Sequence, residues 1–400
     1  MTVQYVEIGS IFQMSSGGTP SKKNPEYYLN GDIPWVKTGD LKKMYLDNVE
    51  DYITKLGVEK SSAKVFPKGT VLIAMYGATI GNCSILNFEA ATNQACAAFL
   101  PNEKVLPEFL YFYLMSIKEK LVSLGVGGAQ PNISQTILKS IKLPLIPLEK
   151  QIKVIEALSE GLALIDKRQS QITALDELTQ SLFLEMFGDS KELPKRKIGE
   201  VIQSIEAGWS VSGEERPKTN DEIAVLKISA VTKGYFKDDE YKVISPEVKI
   251  KKAVFPQKGD IIVSRANTRE LVGASAIVPK DYSNLILPDK LWKINLYKEI
   301  VTQEYFHTVI NTKEIRNEFS KNATGTSGSM LNISMQKFKE IEIDLPSIID
   351  QKIFSEKVEN VQKMKVSFEK AKLEMENLYN SLLKKAFKGE LFKTNPLKRS

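Results

Sequence analysis

The chain has 400 residues, a formal net charge of +6 and 42% hydrophobic residues, which is typical of a globular protein with two or three domains. It contains no apolar run of about eighteen residues and no signal-like N-terminus, which disfavours membrane and secreted classes, so we expect a cytoplasmic protein. The cysteines Cys83 and Cys96 are expected to be buried thiols, and the only histidine, His307, has no evident catalytic partner in the sequence.

An internal repeat occupies most of the chain, with its copies offset by about 190 to 200 positions. The matched segments are 5–11 with 195–201, Gly18 with Gly208, 33–37 with 223–227, 65–73 with 254–263, and 132–134 with 332–334. In the fourth pair a Pro/Gly turn precedes a β-branched run, which predicts a strand. Ser134 and Ser334 are predicted N-caps of short helices.

Each copy is followed by a long segment with helical periodicity. Residues 351–387 carry apolar side chains at alternating steps of three and four, which is a heptad pattern. Residues 151–187 are less regular, with Gln169 in the seam and a slip between Ile172 and Leu175, where we expect a local distortion. The predicted helix–helix contacts are Leu158, Leu162, Ile165, Leu175, Leu178 and Leu182 in the first segment, and Val361, Met364, Phe368, Met375, Leu378 and Leu382 in the second.

These patterns predict an α+β fold in which two similar globules are separated by an antiparallel coiled coil of two long helices. At about 1.5 Å per residue each helix would span about 55 Å and could act as a spacer, although pairing for stability alone would give the same pattern. Glycine-rich loops at 125–129 and 325–329 precede the matched segments 132–134 and 332–334, and 188–196 forms a linker. The predicted boundaries are 1–148 for the first globule, 149–188 for the central helix, 189–349 for the second globule, 350–391 for the distal helix and 392–400 for a C-terminal tail.

Catalytic and cofactor-binding motifs are missing from the sequence. There is no phosphate-binding loop, no nucleophile elbow and no paired-cysteine metal motif. The nearest string to the active site of a DNA methyltransferase is NPEY at 24–27, which lacks the second proline and is expected to be a turn. We therefore expect a non-catalytic chain without a metal site.

The features that point to DNA are basic residues and two divergent loops. Lysines scattered through both globules suit phosphate neutralisation along a groove, although an ordinary solvated surface is the commoner explanation for any single lysine. After the matched strand the copies differ, with MYGAT at 75–79 and RANTRE at 265–270. Arg can bind guanine and Asn can bind adenine through two hydrogen bonds each, so the loops suit two different DNA sequences, although divergence after duplication explains them equally well. The candidate DNA contacts are Lys22, Lys37, Tyr76 and Thr79 in the first globule, and Lys227, Arg265, Asn267 and Arg269 in the second.

Several strings, taken in order, resemble one known family over nearly the whole chain. They are GTP at 18–20 with IPW at 33–35, KGDII at 258–262, LFLEMFG at 182–188 and LLKKAFKGEL at 382–391. Because these strings occur in this order and the layout is duplicated, the chain resembles the specificity (S) subunit of Type I restriction-modification systems. The second copy departs from the pattern, with GWS at 208–210.

The resemblance implies a non-catalytic reader of double-stranded DNA, in which each target-recognition domain reads one half of an asymmetric bipartite site and the helices set the spacer. It also implies assembly with two modification subunits, which bind S-adenosylmethionine and methylate adenine N6, and with restriction subunits that cleave DNA using ATP and Mg. This chain itself would bind no cofactor, no metal and no membrane. Two alternatives stay open: a self-contained DNA methyltransferase or nuclease, and a helical scaffold without DNA binding.

Overall fold

A computed structural model describes residues 4–126, 131–188, 193–325 and 330–388. Residues 1–3, 127–130, 189–192, 326–329 and 389–400 lie outside these ranges, and with them parts of both glycine-rich loops, part of the linker, the predicted end of the distal helix and the predicted tail. The chain divides into two compact units, the first formed by Met1–Ser170 with Glu369–Ser400 and the second by Gln171–Phe368. Each long helix is therefore shared between the units, so the units do not follow linear boundaries.

Mixed sheets form the first unit. Within its described residues, a five-stranded sheet has the order Met14–Ser16, Cys96–Phe99, Val71–Ala74, Cys83–Leu86 and Tyr45–Leu46, antiparallel except for the last pair. A second sheet has the order Tyr52–Ile53, Ile33–Val36, Ala90–Thr92 and Val65–Phe66, and Gln4–Glu7 pairs with Lys142–Leu145. Strand Val71–Ala74 is buried at every position, as expected for an apolar run covered on both faces.

Short helices pack around these sheets. They are the α-helices Ile8–Ile11, Lys55–Glu59, Pro107–Ser116, Lys118–Ser123 and Gln135–Ser140, and the 3-10 turns Pro25–Tyr27, Thr38–Asp40 and Gly77–Thr79. Helix Pro107–Ser116 is apolar nearly all round and buried, because it forms the centre of the core rather than its edge. The predicted caps are confirmed: Ser134 Oγ accepts the N–H of Ile137 at 3.2 Å, and Ser334 Oγ accepts that of Lys337 at 3.2 Å.

The second unit repeats this arrangement. Its main sheet has the order Ile202–Ala207, Leu291–Leu296, Ile261–Ser264 and Ser275–Ile277, and a second sheet has the order Tyr241–Val243, Ala224–Leu226 and Leu285–Ile286. Lys195–Lys197 pairs with Glu342–Asp344, and Ala266–Asn267 pairs with Leu331–Asn332. The helices are Ile198–Val201, Gln303–Ile310, Lys313–Asn322 and Met335–Glu340, with a 3-10 turn at Ile228–Val231.

One pair of glycines shows why the repeat is visible in the sequence. A Cβ added to Gly9 would lie 2.7 Å from Cβ of Lys139, and one added to Gly199 would lie 3.0 Å from Cβ of Lys339. Both glycines therefore allow the same close approach of two short helices. Together with the common strand order, this contact shows that the two units share one fold, as predicted.

The long helices, the central helix Leu148–Phe187 and the distal helix Ile348–Phe387, are each continuous. In the first unit the early part of the central helix meets the late part of the distal helix, since a Cβ on Gly161 would lie 2.8 Å from Cδ2 of Tyr379. In the second unit the order is reversed, since Asp176 binds Lys365. The helices thus pack antiparallel, which confirms the predicted coiled coil. No helix in the described ranges is long and apolar enough to cross a membrane.

The buried seam differs in part from the predicted one. Three predicted seam residues lie on the exposed side of the helices: Leu178 (42%), Met364 (49%) and Leu378 (71%). Thr179, Lys365 and Tyr379 take the inward positions instead. After Val361 the next inward position can lie three or four residues later. In the structure it lies four residues later, so Lys365 faces the partner helix and Asp176 compensates its charge. Positions 165, 168, 172, 175 and 179 keep this spacing, so the predicted distortion is not observed. The other predicted seam residues are buried or half-buried: Leu158, Leu162, Ile165, Leu175, Leu182, Val361, Phe368, Met375 and Leu382.

Candidate nucleic-acid interface

Three loops of each unit lie at the same edge of its main sheet. In the first unit the register pairs Ser16 with Ala97 and Ala74 with Cys96, so the loops that follow two strands lie beside the loop that precedes the third. We call these loops the loop face of the unit. The loop face comprises residues 17–19, 75–79 and 93–95 in the first unit, and 208–210, 265–271 and 287–290 in the second.

Main-chain hydrogen bonds tie the loop face of the first unit together. The N–H of Gly18 donates to the carbonyl of Thr92 at 2.9 Å, and the N–H of Met75 donates to the carbonyl of Ala95 at 2.8 Å. The carbonyl of Met75 accepts the N–H of Ile133 at 2.9 Å. The loops therefore form one framework rather than separate flexible segments.

The second unit has the same framework with different side chains. Trp209 N–H donates to the carbonyl of Leu287 at 3.1 Å, and Arg265 N–H donates to that of Lys290 at 3.0 Å. The carbonyl of Arg265 accepts the N–H of Ile333 at 2.9 Å. Arg265 thus occupies the position of the buried Met75 in the first unit.

The framework also corrects the alignment of the two copies. A Cβ on Gly17 would overlap the carbonyl oxygen of Thr92, and a Cβ on Gly208 would overlap that of Leu287. Gly208 is therefore the partner of Gly17, and the predicted match of Gly208 with Gly18 is wrong by one residue. Sequence comparison missed this because the neighbouring positions are both glycine in the first copy only.

A side-chain pair spans the loop face at the same place in both units. The hydroxyl of Thr19 donates to Oε1 of Gln94 at 2.5 Å. In the second unit the hydroxyl of Ser210 donates to Oδ1 of Asp289. The GWS string therefore keeps the hydroxyl that the GTP string supplies, and the first loop of the second unit has the same arrangement as that of the first.

Arg265 is held by the same aspartate. Its Nε donates to the carbonyl of Asp289 at 3.0 Å, and its Nη2 lies 3.5 Å from Oδ2 of that residue. Its side chain is 32% exposed. The predicted guanidinium is therefore present at the loop face, with a fixed position and a carboxylate beside it.

The predicted lysines have different surroundings. Lys22 is exposed in a turn, with its position open to solvent. Lys37 Nζ lies 2.5 Å from Oδ2 of Asp51 and 5.3 Å from the ring centre of Trp35. Lys227 Nζ lies 3.1 Å from Oε2 of Glu215. Carboxylates thus already balance two of the three charges.

The ion pair of Lys227 also affects the pKa of Glu215. Hydrogen bonds from Lys227, and then from Lys242, hold the pKa of Glu215 below its ordinary value. Because the pairs are exposed, the stabilisation they give is small and weakens with salt. Lys37 and Lys227 are therefore poorer phosphate contacts than their sequence positions suggest.

The remaining candidates lie on the loops after the matched strand. Tyr76 is 41% exposed, and its carbonyl accepts the hydroxyl of Thr79 at 3.0 Å. Asn267 Oδ1 accepts the N–H of Thr268 at 2.9 Å, which closes the turn, and the side chain is half-buried. Arg269 is exposed. Tyr76 and Arg269 therefore present their side chains most openly.

A half-buried arginine that the sequence did not single out supports the second loop. Arg316 Nη2 donates to the carbonyl of Glu270 at 2.6 Å, and its Nη1 has no hydrogen-bond partner among the described residues. Burial lowers the pKa of Arg316 to about 10. Only its place in helix Lys313–Asn322, packed against the loop, reveals this role.

A buried glutamine at the start of each long helix was also missed. Gln151 binds the carbonyls of Lys104 and Ile146 and the N–H of Leu106, at 2.8, 2.9 and 2.9 Å. Gln351 makes the matching set of bonds in the second unit. The offset of 200 between the two glutamines, shared with segments 132–134 and 332–334, was the available signal.

The cysteines carry no chemistry in this arrangement. Cys83 and Cys96 are buried and unbridged, as predicted, and burial raises the pKa of each thiol to about 12. Such thiols stay protonated and unreactive near neutral pH. Among the described residues there is no cluster of three or more His, Cys, Asp and Glu that could hold a metal ion.

Comparison with known families assigns the chain to a family. The family model described as the Type I restriction modification DNA specificity domain matches residues 1–174 and 191–376. The chain belongs to this family. The predicted resemblance is thereby confirmed, and the methyltransferase and scaffold alternatives are not favoured.

Two curated relatives illustrate the likeness. The MjaIX specificity subunit of Methanocaldococcus jannaschii is 29% identical over 252 residues, which cover 57% of this chain and 58% of that protein. The EcoKI specificity subunit of Escherichia coli K12 is 22% identical, with 96% of this chain and 88% of that protein covered. The chain thus spans little more than half of the first relative and most of the second.

Solved structures share the fold. The S subunit of M. genitalium is 15% identical with a TM-score of 0.51, covering 97% of this chain and 96% of that one. A chain from a structure on complex assembly of the type I R-M system is 16% identical with a TM-score of 0.55, covering 98% and 100%. At these identities the likeness shows the common fold alone.

Proposed function

We propose that this chain is the DNA-reading subunit of a Type I restriction-modification complex, in which each unit reads one half of an asymmetric bipartite site. The observation that carries the proposal is the duplicated loop face. One backbone framework holds an exposed Gln94 beside a buried Met75 in the first unit, but Arg265 and Asp289 in the second. Two copies of a framework with different polar groups suit two different base sequences.

We propose that the long helices set the distance between the two half-sites. Each is 40 residues long and is shared between the two units. A stiff pair of this kind would set how many unspecified base pairs separate the half-sites. The half-sites would then be separated by a constant spacer rather than a variable one.

Partners follow from this role. We propose assembly with two modification subunits, which would bind S-adenosylmethionine and methylate adenine N6, and with restriction subunits that would use ATP and Mg. The chain would work on DNA in the cytoplasm. Its own contribution would be recognition, since contacts to phosphates give affinity and contacts to base edges give selectivity.

The first experiment uses the chain purified with its modification subunits. A library of duplexes with randomised sequence is methylated in the presence of S-adenosylmethionine, and the methylated molecules are sequenced. We expect one motif with two defined halves and a constant gap. Equal methylation or binding of random and selected duplexes at all salt concentrations would contradict the proposal.

A second experiment tests the spacer. One heptad is inserted into each long helix at the boundary of the units, after Ser170 and after Phe368. Seven residues add about 10 Å of helix, which corresponds to about three base pairs. We expect the preferred gap to lengthen with unchanged half-sites. An unchanged gap would exclude the spacer role without affecting the reading role.

A further inference from the structure

We infer that Gln94 in the first unit, and the Arg265–Asp289 pair in the second, are the specificity-determining residues at one equivalent position of the two loop faces. This inference rests on the proposed function and adds the residues and the base chemistry. Neither Gln94 nor Asp289 stands out in the sequence, because each lies in a short loop between two strands without a motif.

The equivalence depends on the framework and not on sequence similarity. Gln94 lies two residues after Thr92, and Asp289 lies two residues after Leu287, and these two carbonyls accept the matching main-chain bonds from Gly18 and Trp209. A hydroxyl from the first loop binds each polar group. The same position therefore holds a neutral amide in one unit and a carboxylate in the other.

In the first unit the group on offer is an amide. Gln94 is exposed, and the bond from Thr19 uses only one lone pair of its Oε1. The amide N–H groups and the other lone pair stay available, which is the donor and acceptor set that matches adenine N6 and N7. The hydroxyl of Thr19 orients the amide and limits its rotation. The first unit is therefore built to read an A·T pair here.

In the second unit donors and acceptors lie side by side. Arg265 Nε donates to the carbonyl of Asp289 and Nη2 lies 3.5 Å from its Oδ2, which leaves Nη1 and the second hydrogen of Nη2 at the loop face, with the side chain 32% exposed. The Asp289 carboxylate is 41% exposed. Arg donates to guanine O6 and N7, and Asp accepts from cytosine N4, so the pair matches the two partners of one G·C pair.

Charge supports a role in reading rather than in general affinity. A carboxylate close to DNA is repelled by phosphates, so an exposed Asp at the interface weakens non-specific binding. Arg265 balances that charge, and Ser210 fixes the carboxylate through its hydroxyl. A surface built only for affinity would carry a lysine here, whereas a surface built to discriminate against other bases benefits from the acid.

The test uses the complex with its modification subunits and the randomised duplex library. Gln94→Ala is expected to relax preference at one base pair of one half-site, and Asp289→Asn at one base pair of the other. Each loss of discrimination should lie between about fivefold and 150-fold. Gln13→Ala and Asp239→Asn are matched controls, because these side chains are exposed in the same units and away from the loop faces.

Unchanged preference at all positions in Gln94→Ala or Asp289→Asn, with the wild-type motif intact, overturns the inference while the proposed function stands. Relaxation at many positions in both halves also overturns it. A wild-type complex without any motif would instead refute the proposed function. If Asp289→Asn is unstable in thermal unfolding, Ser210→Ala tests the same position, because it frees the carboxylate and should broaden preference at the same base pair.

Discussion

The buried glutamine at the start of the central helix offers the sharpest test of how a unit is attached to its helices. Gln151 is 0% exposed and makes three hydrogen bonds, to the carbonyls of Lys104 and Ile146 and from the N–H of Leu106. Gln151→Ala removes all of these bonds at once. The three backbone groups are then left in a site that water reaches poorly.

The magnitude follows from the number of bonds. Each buried hydrogen bond contributes about 0.5–1.5 kcal/mol net, so the loss of three costs about 1.5–4.5 kcal/mol. Because about 1.4 kcal/mol corresponds to a tenfold change, local opening around Leu106 should rise by about one to three orders of magnitude. The isosteric Gln151→Glu should be at least as harmful, because its buried carboxylate cannot donate to the two carbonyls.

Native-state hydrogen exchange of the amide of Leu106 measures this opening directly, because that N–H donates to Gln151. Gln180→Ala, at an exposed position of the same helix, is the control and should leave the exchange rate unchanged. Gln351→Ala should produce the same effect at Thr302, whose N–H donates to Gln351 at 3.0 Å. Unaltered exchange at Leu106 in Gln151→Ala would refute the reasoning.

Three further predictions concern the second unit. Asp176→Ala should lower the free energy of unfolding of the second unit, measured in urea, by about 1–3 kcal/mol, because Lys365 stays buried without its partner. Lys365→Met should be neutral or stabilising, and equal losses in the two variants would contradict this account. Arg316→Met should speed hydrogen exchange at residues 271–273 about tenfold, since the bond to Glu270 is lost, and unchanged exchange would argue against the support. Burial lowers the pKa of His307 in the folded chain, so as pH falls below about 6.5 the unfolded chain binds a proton that the folded chain does not. The free energy of unfolding in urea titrations should therefore decline from about pH 7.5 to about pH 5. His307→Gln should flatten that decline.

The large features of the fold were predictable because they rest on periodicity and duplication. Gly9 and Gly199 mark the same tight helix contact, and heptad spacing marks both long helices. The phase of the seam was not predictable in the same way. A search for apolar residues selects Met364 as the seam position. The structure instead places Lys365 in the seam, because Asp176, 189 positions earlier in the chain, neutralises its charge.

The candidate DNA contacts show the same limit. Arg265 was found from its residue type, but its partner Asp289 depends on two loops that only the folded sheet brings together. Likewise, the carboxylate of Asp51 beside Lys37 follows from a strand pairing that no local pattern reveals. Residue type predicts what chemistry a side chain can offer, whereas its availability is decided by contacts distant in sequence.

The sharing of the long helices between the units has a consequence for synthesis on the ribosome. The ring of Phe387 lies 5.1 Å from that of Phe109 and 5.3 Å from that of Tyr113, so the last turn of the distal helix covers the core of the first unit. About 275 residues separate these partners, which at about 5–20 residues per second takes about 14–55 s to translate. During that interval the nascent chain exposes an aromatic surface that a chaperone could bind. The part of the protein that is made first is therefore the part that is completed last.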